Sequence, residues 1–222
     1  MDIKSNLSNI RSSLPNGVKL VAVSKFHPAE SIQEAYNAGQ KLFGESRVQE
    51  LTAKQPLLPE DIEWHFIGTL QTNKVKYIAP FISLIQSVDT LKLLQEIDRQ
   101  AAKCNRTIRI LIEVHIAEEA SKHGFSPDEC KALFTNDTLM PFKNIAVCGL
   151  MGMATFTDNA EQVRREFDTL KTLFCDIKSM QGINPSVFTE LSMGMSDDYK
   201  IAIEEGSTIV RIGTAIFGER EY

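Results

Sequence analysis

Eight short runs rich in Val, Ile and Leu recur along the 222 residues, separated by stretches whose apolar residues fall at helical spacing. The runs are 20–25 (LVAVSK), 41–46 (KLFGES), 62–68 (IEWHFIG), 84–88 (LIQSV), 109–116 (RILIEVHI), 144–153 (NIAVCGLMGM), 187–194 (VFTELSMG) and 207–218 (STIVRIGTAIFG). Helical segments are read at 28–39, 47–55, 70–81, 90–104, from Pro127, at 161–180 and at 197–205. Ile3, Leu7 and Ile10 place a short extra helix before the first run. No hairpin signal joins one run to the next. Alternation of this kind means parallel strands joined by crossover helices. A doubly wound sheet also meets the pattern, but eight regular units without a switch point favour a single closed (β/α)8 barrel of the TIM type. No linker, low-complexity tract or repeat divides the chain, so residues 1–222 are expected to form one domain.

Charge and cysteine usage narrow the partners. The net charge is −5 and no lysine or arginine stripe is present, which argues against nucleic acid and anionic membrane. No apolar run approaches bilayer length, and MDIKSNLSNIRSSL lacks the apolar core of a signal peptide. Cys104, Cys130, Cys148 and Cys175 are widely spaced, as expected of reduced, mostly buried thiols. The expectation is a cytoplasmic, monomeric protein.

On a barrel of parallel strands, chemistry belongs at the C-terminal strand ends. Those ends carry Lys25, Ser46, Gly68, Met151, Gly194 with Ser196, and Gly213 with Thr214. Lys25 closes the first run on the face shared by Val21 and Val23, where a lysine either snorkels to solvent or is held for chemistry. In SMGMSDD, Ser196 reads equally as a helix N-cap, with Asp197 and Asp198 in the first turn, or as a phosphate contact. In RIGT, Arg211 lies inside an apolar strand, where an arginine is costly without a partner. That partner is either a carboxylate such as Glu190 or a ligand, for which Gly213 leaves room. His65 reads as a satisfied core histidine of the barrel floor, and no histidine–cysteine cluster has metal-ligand spacing. A strand-end lysine opposite a phosphate cup, with a buried arginine between them, matches pyridoxal 5′-phosphate (PLP). The aldehyde would take the lysine as a Schiff base, and the ring nitrogen would face the arginine.

VAVSKFHP, LFGESRVQE, EWHFIGTLQTNK, GLMGMA, LSMGMSDD and VRIGTAIFG occur in that order, and together the chain resembles the pyridoxal phosphate homeostasis proteins, the YggS/PROSC-like family. The resemblance runs from about residue 7 to the C-terminus and implies a barrel like the N-terminal domain of alanine racemase. It implies PLP on Lys25, phosphate contacts from Ser196, Gly213 and Thr214, and Arg211 near the pyridine nitrogen. Ser46 stands where the family usually has asparagine, so the contact from that position is altered. Members are regarded as cofactor carriers or regulators of vitamin B6 and amino-acid balance without an established reaction. The expected function is therefore non-catalytic PLP binding, with apo PLP-dependent enzymes as recipients. The alternative is a PLP-dependent racemase or lyase acting on small amino acids. A cofactor-free Schiff-base aldolase is a third reading, and it lacks a second polar base near Lys25.

Overall fold

Parallel strands need both faces covered, and the eight apolar runs supply that through a barrel with a filled interior and a helical jacket. The computed structural model describes residues 2–119, 123–136 and 138–219. Its strands are β1 (Lys19–Val23), β2 (Leu42–Glu45), β3 (Glu63–Phe66), β4 (Leu84–Val88), β5 (Ile108–Val114), β6 (Ile145–Gly152), β7 (Glu190–Ser192) and β8 (Ile209–Ile212). All pair in parallel in chain order, and β8 closes the barrel on β1, with Val21 opposite Arg211. The helices are α1 (Ile3–Ser13), α2 (Ala29–Asn37), α3 (Val48–Lys54), α4 (Val75–Ile78), α5 (Leu91–Lys103), α6 (Pro127–Thr135), α7 (Ala160–Lys178), α8 (Tyr199–Glu204) and α9 (Thr214–Phe217).

Alternation along the strands divides the buried residues into two clusters. Leu20, Ala22, Phe43, Trp64, Phe66, Ile110 and Ile112 face outward and meet Ile32, Leu51, Ile97, Leu170 and other helix residues in the larger core. Val21, Leu84, Leu111, Cys148, Met151 and Ile209 fill the interior. Cys148 and Met151 both point inward although they are three residues apart. The register between β5 and β6 slips there, from Ile110 opposite Val147 to Leu111 opposite Gly149. Gly149 permits the slip, because a Cβ at that position would lie 1.7 Å from the Glu190 carbonyl oxygen.

Several expected boundaries move. β1 ends at Val23, so Lys25 lies in the turn beyond it rather than on the strand. The last run is not one strand: β8 stops at Ile212, Gly213 adopts a helical conformation (φ −118°, ψ −74°), and α9 follows. Gly213 is therefore not part of the strand that carries Arg211. Ser196 is not a helix cap, since α8 starts at Tyr199 with Asp198 preceding it. Asp198 is engaged instead in accepting the Met195 N–H at 2.5 Å. Of the cysteines, Cys130 and Cys148 are buried, Cys104 is half-buried and Cys175 is exposed.

Candidate functional site

The expected site residues come from strands that are neighbours around the barrel. The order β2, β1, β8, β7 sets Ser46, Lys25, the Gly213–Thr214 pair and Ser196 side by side along the C-terminal rim. Lys25, Ser46, Ser196 and Gly213 are half-buried and Thr214 is exposed, so the rim can be reached from solvent. Gly68, at the end of β3, packs so closely on Ser46 that a Cβ would sit 2.5 Å from its carbonyl oxygen. Gly194, at φ +95°, folds the loop after β7 onto α8, where a Cβ would meet that of Ala202 at 2.6 Å. Its carbonyl accepts the Arg211 N–H at 3.0 Å.

Arg211 is buried beneath this rim, and its partner is not Glu190. Its Nη1 donates to Ser192 Oγ at 2.6 Å and its Nη2 to the Gly152 carbonyl at 3.1 Å. Ser192 donates on to Gln86 Oε1 at 2.6 Å, and Gln86 Nε2 lies 2.9 Å from His65 Nδ1. One sense of donation therefore runs from the mouth to the floor, ending on a histidine nitrogen that accepts. Burial pushes the His65 pKa down to about 3, with Arg109 and Lys19 adding to the shift, so the ring is neutral and its other nitrogen carries the proton. Burial likewise lowers Arg211 to about 10, against the carboxylates of Asp198 and Glu113. It stays charged at neutral pH.

Glu190 is occupied at the opposite end. It pairs with Lys19 and, at 2.9 Å, with Arg109 Nη2. These groups line a floor cavity with Glu63 and His65 of about 160 Å³. Ligand sites usually measure about 300–1,000 Å³, so this cavity is too small to be the cofactor site. His65 is thus the satisfied floor histidine its sequence context implied.

Two groups of residues escape a reading of the sequence. Glu113 faces inward on β5, two places beyond Leu111, and burial near Asp89 raises its pKa to about 7 while Arg211 opposes the rise. The second group underlies the Lys25 turn. Lys54 Nζ reaches Glu45 Oε1 at 2.8 Å, Glu50 Oε1 at 2.7 Å and the Ser24 carbonyl at 3.0 Å. Glu50 Oε1 also accepts the Phe26 N–H at 2.6 Å, and Ser24 Oγ donates to Glu45 Oε1 at 2.7 Å. Phe26 has φ +68°, and the Arg47 guanidinium lies 4.5 Å from the centre of its ring.

The donor set fits PLP: an amine on the rim, a charged guanidinium below it, and small polar residues with backbone N–H groups beside both. The first turn of α9 leaves N–H groups without intrahelical acceptors next to Gly213. Among the described residues, no group of three His, Cys, Asp or Glu side chains could hold a metal ion. Nor is any described helix long and apolar enough to cross a membrane.

Known proteins share this barrel. The family model of the alanine racemase N-terminal domain matches residues 1–221. A pyridoxal phosphate homeostasis protein of Aquifex aeolicus is 45% identical over 208 residues, spanning 93% of this chain and 89% of that protein. PipY of Synechococcus elongatus, solved without PLP, superposes with a TM-score of 0.90 at 37% identity, covering 97% of this chain and 100% of its own. The PLP-bound form of PipY gives 0.87. Alanine racemase of Streptomyces lavendulae shares the fold alone, with a TM-score of 0.79 at 17% identity over 98% of this chain and 56% of the racemase.

Proposed function

The chain belongs to the pyridoxal phosphate homeostasis protein family, and from that premise we propose that it binds PLP covalently on Lys25 at the mouth of the barrel. The observation that carries this reading is the adjacency of β1 and β8. With Val21 opposite Arg211, Lys25 and Thr214 follow neighbouring strands onto the same rim, and Arg211 lies buried in β8 two residues before Gly213. When bound, PLP supplies an aldehyde that condenses with an amine, with loss of water, and a ring that withdraws electrons. Lys25 provides the amine. Ser196, Gly213 and Thr214 donate to the phosphate, and Ser46 lies on the far side of Lys25.

Arg211 faces the ring nitrogen. A guanidinium offers only donors and remains charged, so the nitrogen it meets accepts and does not carry a proton. That weakens the ring as an electron sink and suits storage better than turnover. The protein acts as a cytoplasmic, monomeric carrier in vitamin B6 and amino-acid balance, with apo PLP-dependent enzymes as recipients. The alternative, a racemase or lyase for small amino acids, rests on the fold shared with alanine racemase.

Borohydride reduction of the loaded protein followed by peptide mapping tests the site. The adduct is expected on the peptide containing Lys25, and a label on another lysine overturns the assignment. Transfer of PLP from loaded protein to an apo-enzyme faster than from free PLP is the result expected of a carrier.

A further inference from the structure

We propose that Glu50 and Lys54 on α3 are positioning residues for Lys25, clamping the residues on either side of it so that its side chain is aimed into the mouth. This rests on the reading of Lys25 as the PLP lysine. Among the described residues only Phe26 and Asn105 have positive φ without being glycine. Asparagine enters that region readily, whereas a phenylalanine is held there by its surroundings. The hold is visible on both flanks of Lys25. Lys54 Nζ fixes the carbonyl of Ser24, and Glu50 Oε1 fixes the N–H of Phe26, while those two side chains are paired with each other at 2.7 Å.

The rest of the turn is braced from the barrel side. Ser24 N–H donates to the Gly44 carbonyl at 3.0 Å, and His27 N–H to the Ser24 carbonyl at 3.1 Å. Glu45 anchors the assembly from β2 by accepting from both Lys54 and Ser24. The location is unusual for such a network. It lies outside the barrel, with Lys54 and Glu45 buried among the apolar contacts of β2 and α3. Buried ions confer little stability that a packed apolar group could not. Glu45 Oε2 has no hydrogen-bond partner among the described residues, so the network is not the most stable filling of that space. What an apolar filling could not do is bond the backbone of Ser24 and Phe26 at once. The cost of the burial is offset by a lysine whose backbone is fixed before the cofactor arrives.

The test compares Glu50→Ala, Glu50→Gln, Phe26→Gly and the double variant Glu50→Ala with Phe26→Gly, each confirmed as folded by circular dichroism. PLP is mixed with the apoprotein, covalent capture is followed by absorbance, and borohydride mapping locates the adduct. Glu50→Ala is expected to slow capture by about tenfold to a hundredfold, the range that misplacing a reacting group produces. Glu50→Gln keeps an oxygen acceptor for the Phe26 N–H and should recover most of the rate. Glycine adopts the required φ without steric cost, so in the double variant the loss from Glu50→Ala should shrink to about twofold. Because glycine at this φ also relieves backbone strain, urea midpoints of all four variants accompany the rates, and the rescue must exceed what the change in midpoint accounts for. Lys54→Met, which removes the ammonium and keeps the packing, should slow capture to a similar degree and serves if Glu50→Ala does not fold. If the wild-type adduct is not on Lys25, the reading of Lys25 fails. If it is on Lys25 but capture in Glu50→Ala is unchanged, or the glycine gives no rescue, the positioning role is overturned.

Discussion

Arg211 Nη1 lies 2.6 Å from Ser192 Oγ, and through that hydroxyl the buried arginine is tied to the floor of the barrel. Ser192 both accepts from Arg211 and donates to Gln86, so it cannot be replaced by an apolar residue without stranding two buried groups. Ser192→Ala should therefore lower unfolding free energy by ~1–3 kcal/mol, the usual penalty for unsatisfied buried polar groups. It should also weaken PLP binding by about tenfold, because the guanidinium loses one of its two fixed acceptors. Urea unfolding and a PLP titration read the two effects separately. An unchanged affinity would assign Arg211 a purely structural role.

The two buried titrating groups of the interior pull stability in opposite directions with pH. His65 titrates near 3 in the folded protein against 6.5 ordinarily, so between those values the unfolded chain holds the extra proton and stability rises with pH. Glu113 titrates near 7 against 4.5, so over that range the folded protein holds the extra proton and stability falls as pH rises. From pH 4.5 to 6.5 the two slopes oppose each other. Glu113→Gln should expose the His65 slope, an increase of about 1.4 kcal/mol per pH unit over that window. Urea midpoints at its two ends measure it, and a flat profile in Glu113→Gln would contradict the assignment.

The strands were legible because parallel strands buried on both faces read as continuous apolar runs, but the same continuity hid where they stop. In STIVRIGTAIFG no cluster of turn residues marks the end of the strand, yet the ladder ends at Ile212 and the backbone turns helical at Gly213. Lys25, Ser46, Ser196, Gly213 and Thr214 could be placed on one rim from strand order alone, since fold geometry puts every strand end there. The partner of Arg211 could not. Glu190 and Arg211 both face inward on adjacent strands, but at different depths, and the floor cations Lys19 and Arg109 claim the glutamate. The clamp beneath Lys25 was hidden because Glu50 and Lys54, four residues apart on a helix, look like an ordinary surface ion pair. Only the third member, Glu45 on β2, shows that the pair is turned toward the barrel.

Ser196→Ala should lower PLP affinity by about tenfold to a hundredfold, since a hydrogen bond to a charged group contributes ~1.5–3 kcal/mol. Because Asp198, not Ser196, precedes α8, the substitution should leave the urea midpoint unchanged. Loss of stability without loss of affinity would make the serine a structural residue. Gly213→Val should lower both, because even a Cβ there would sit 3.1 Å from the Val23 carbonyl oxygen.

The loaded protein should exchange the α-proton of amino acids no faster than free PLP does. Moving a proton off one face of an α-carbon and onto the other requires an acid–base group on each side, and Lys25 can serve one. The described tyrosines are engaged elsewhere. Tyr36 donates to Asp61 at 2.6 Å, and Tyr199 lies 3.4 Å from the Ser13 hydroxyl. Tyr77 is more than half exposed on α4, beneath the ammonium of Lys76. Tyr222, the remaining tyrosine, lies outside the described residues. Glu113 is the one described group across the barrel from β1 whose raised pKa suits proton transfer at neutral pH, which makes it the control. Incubation of loaded protein with L-alanine in deuterated water, followed by NMR, reads the exchange directly. Exchange well above that of free PLP and lost in Lys25→Ala would make this protein an enzyme, and its loss in Glu113→Gln as well would name the second group.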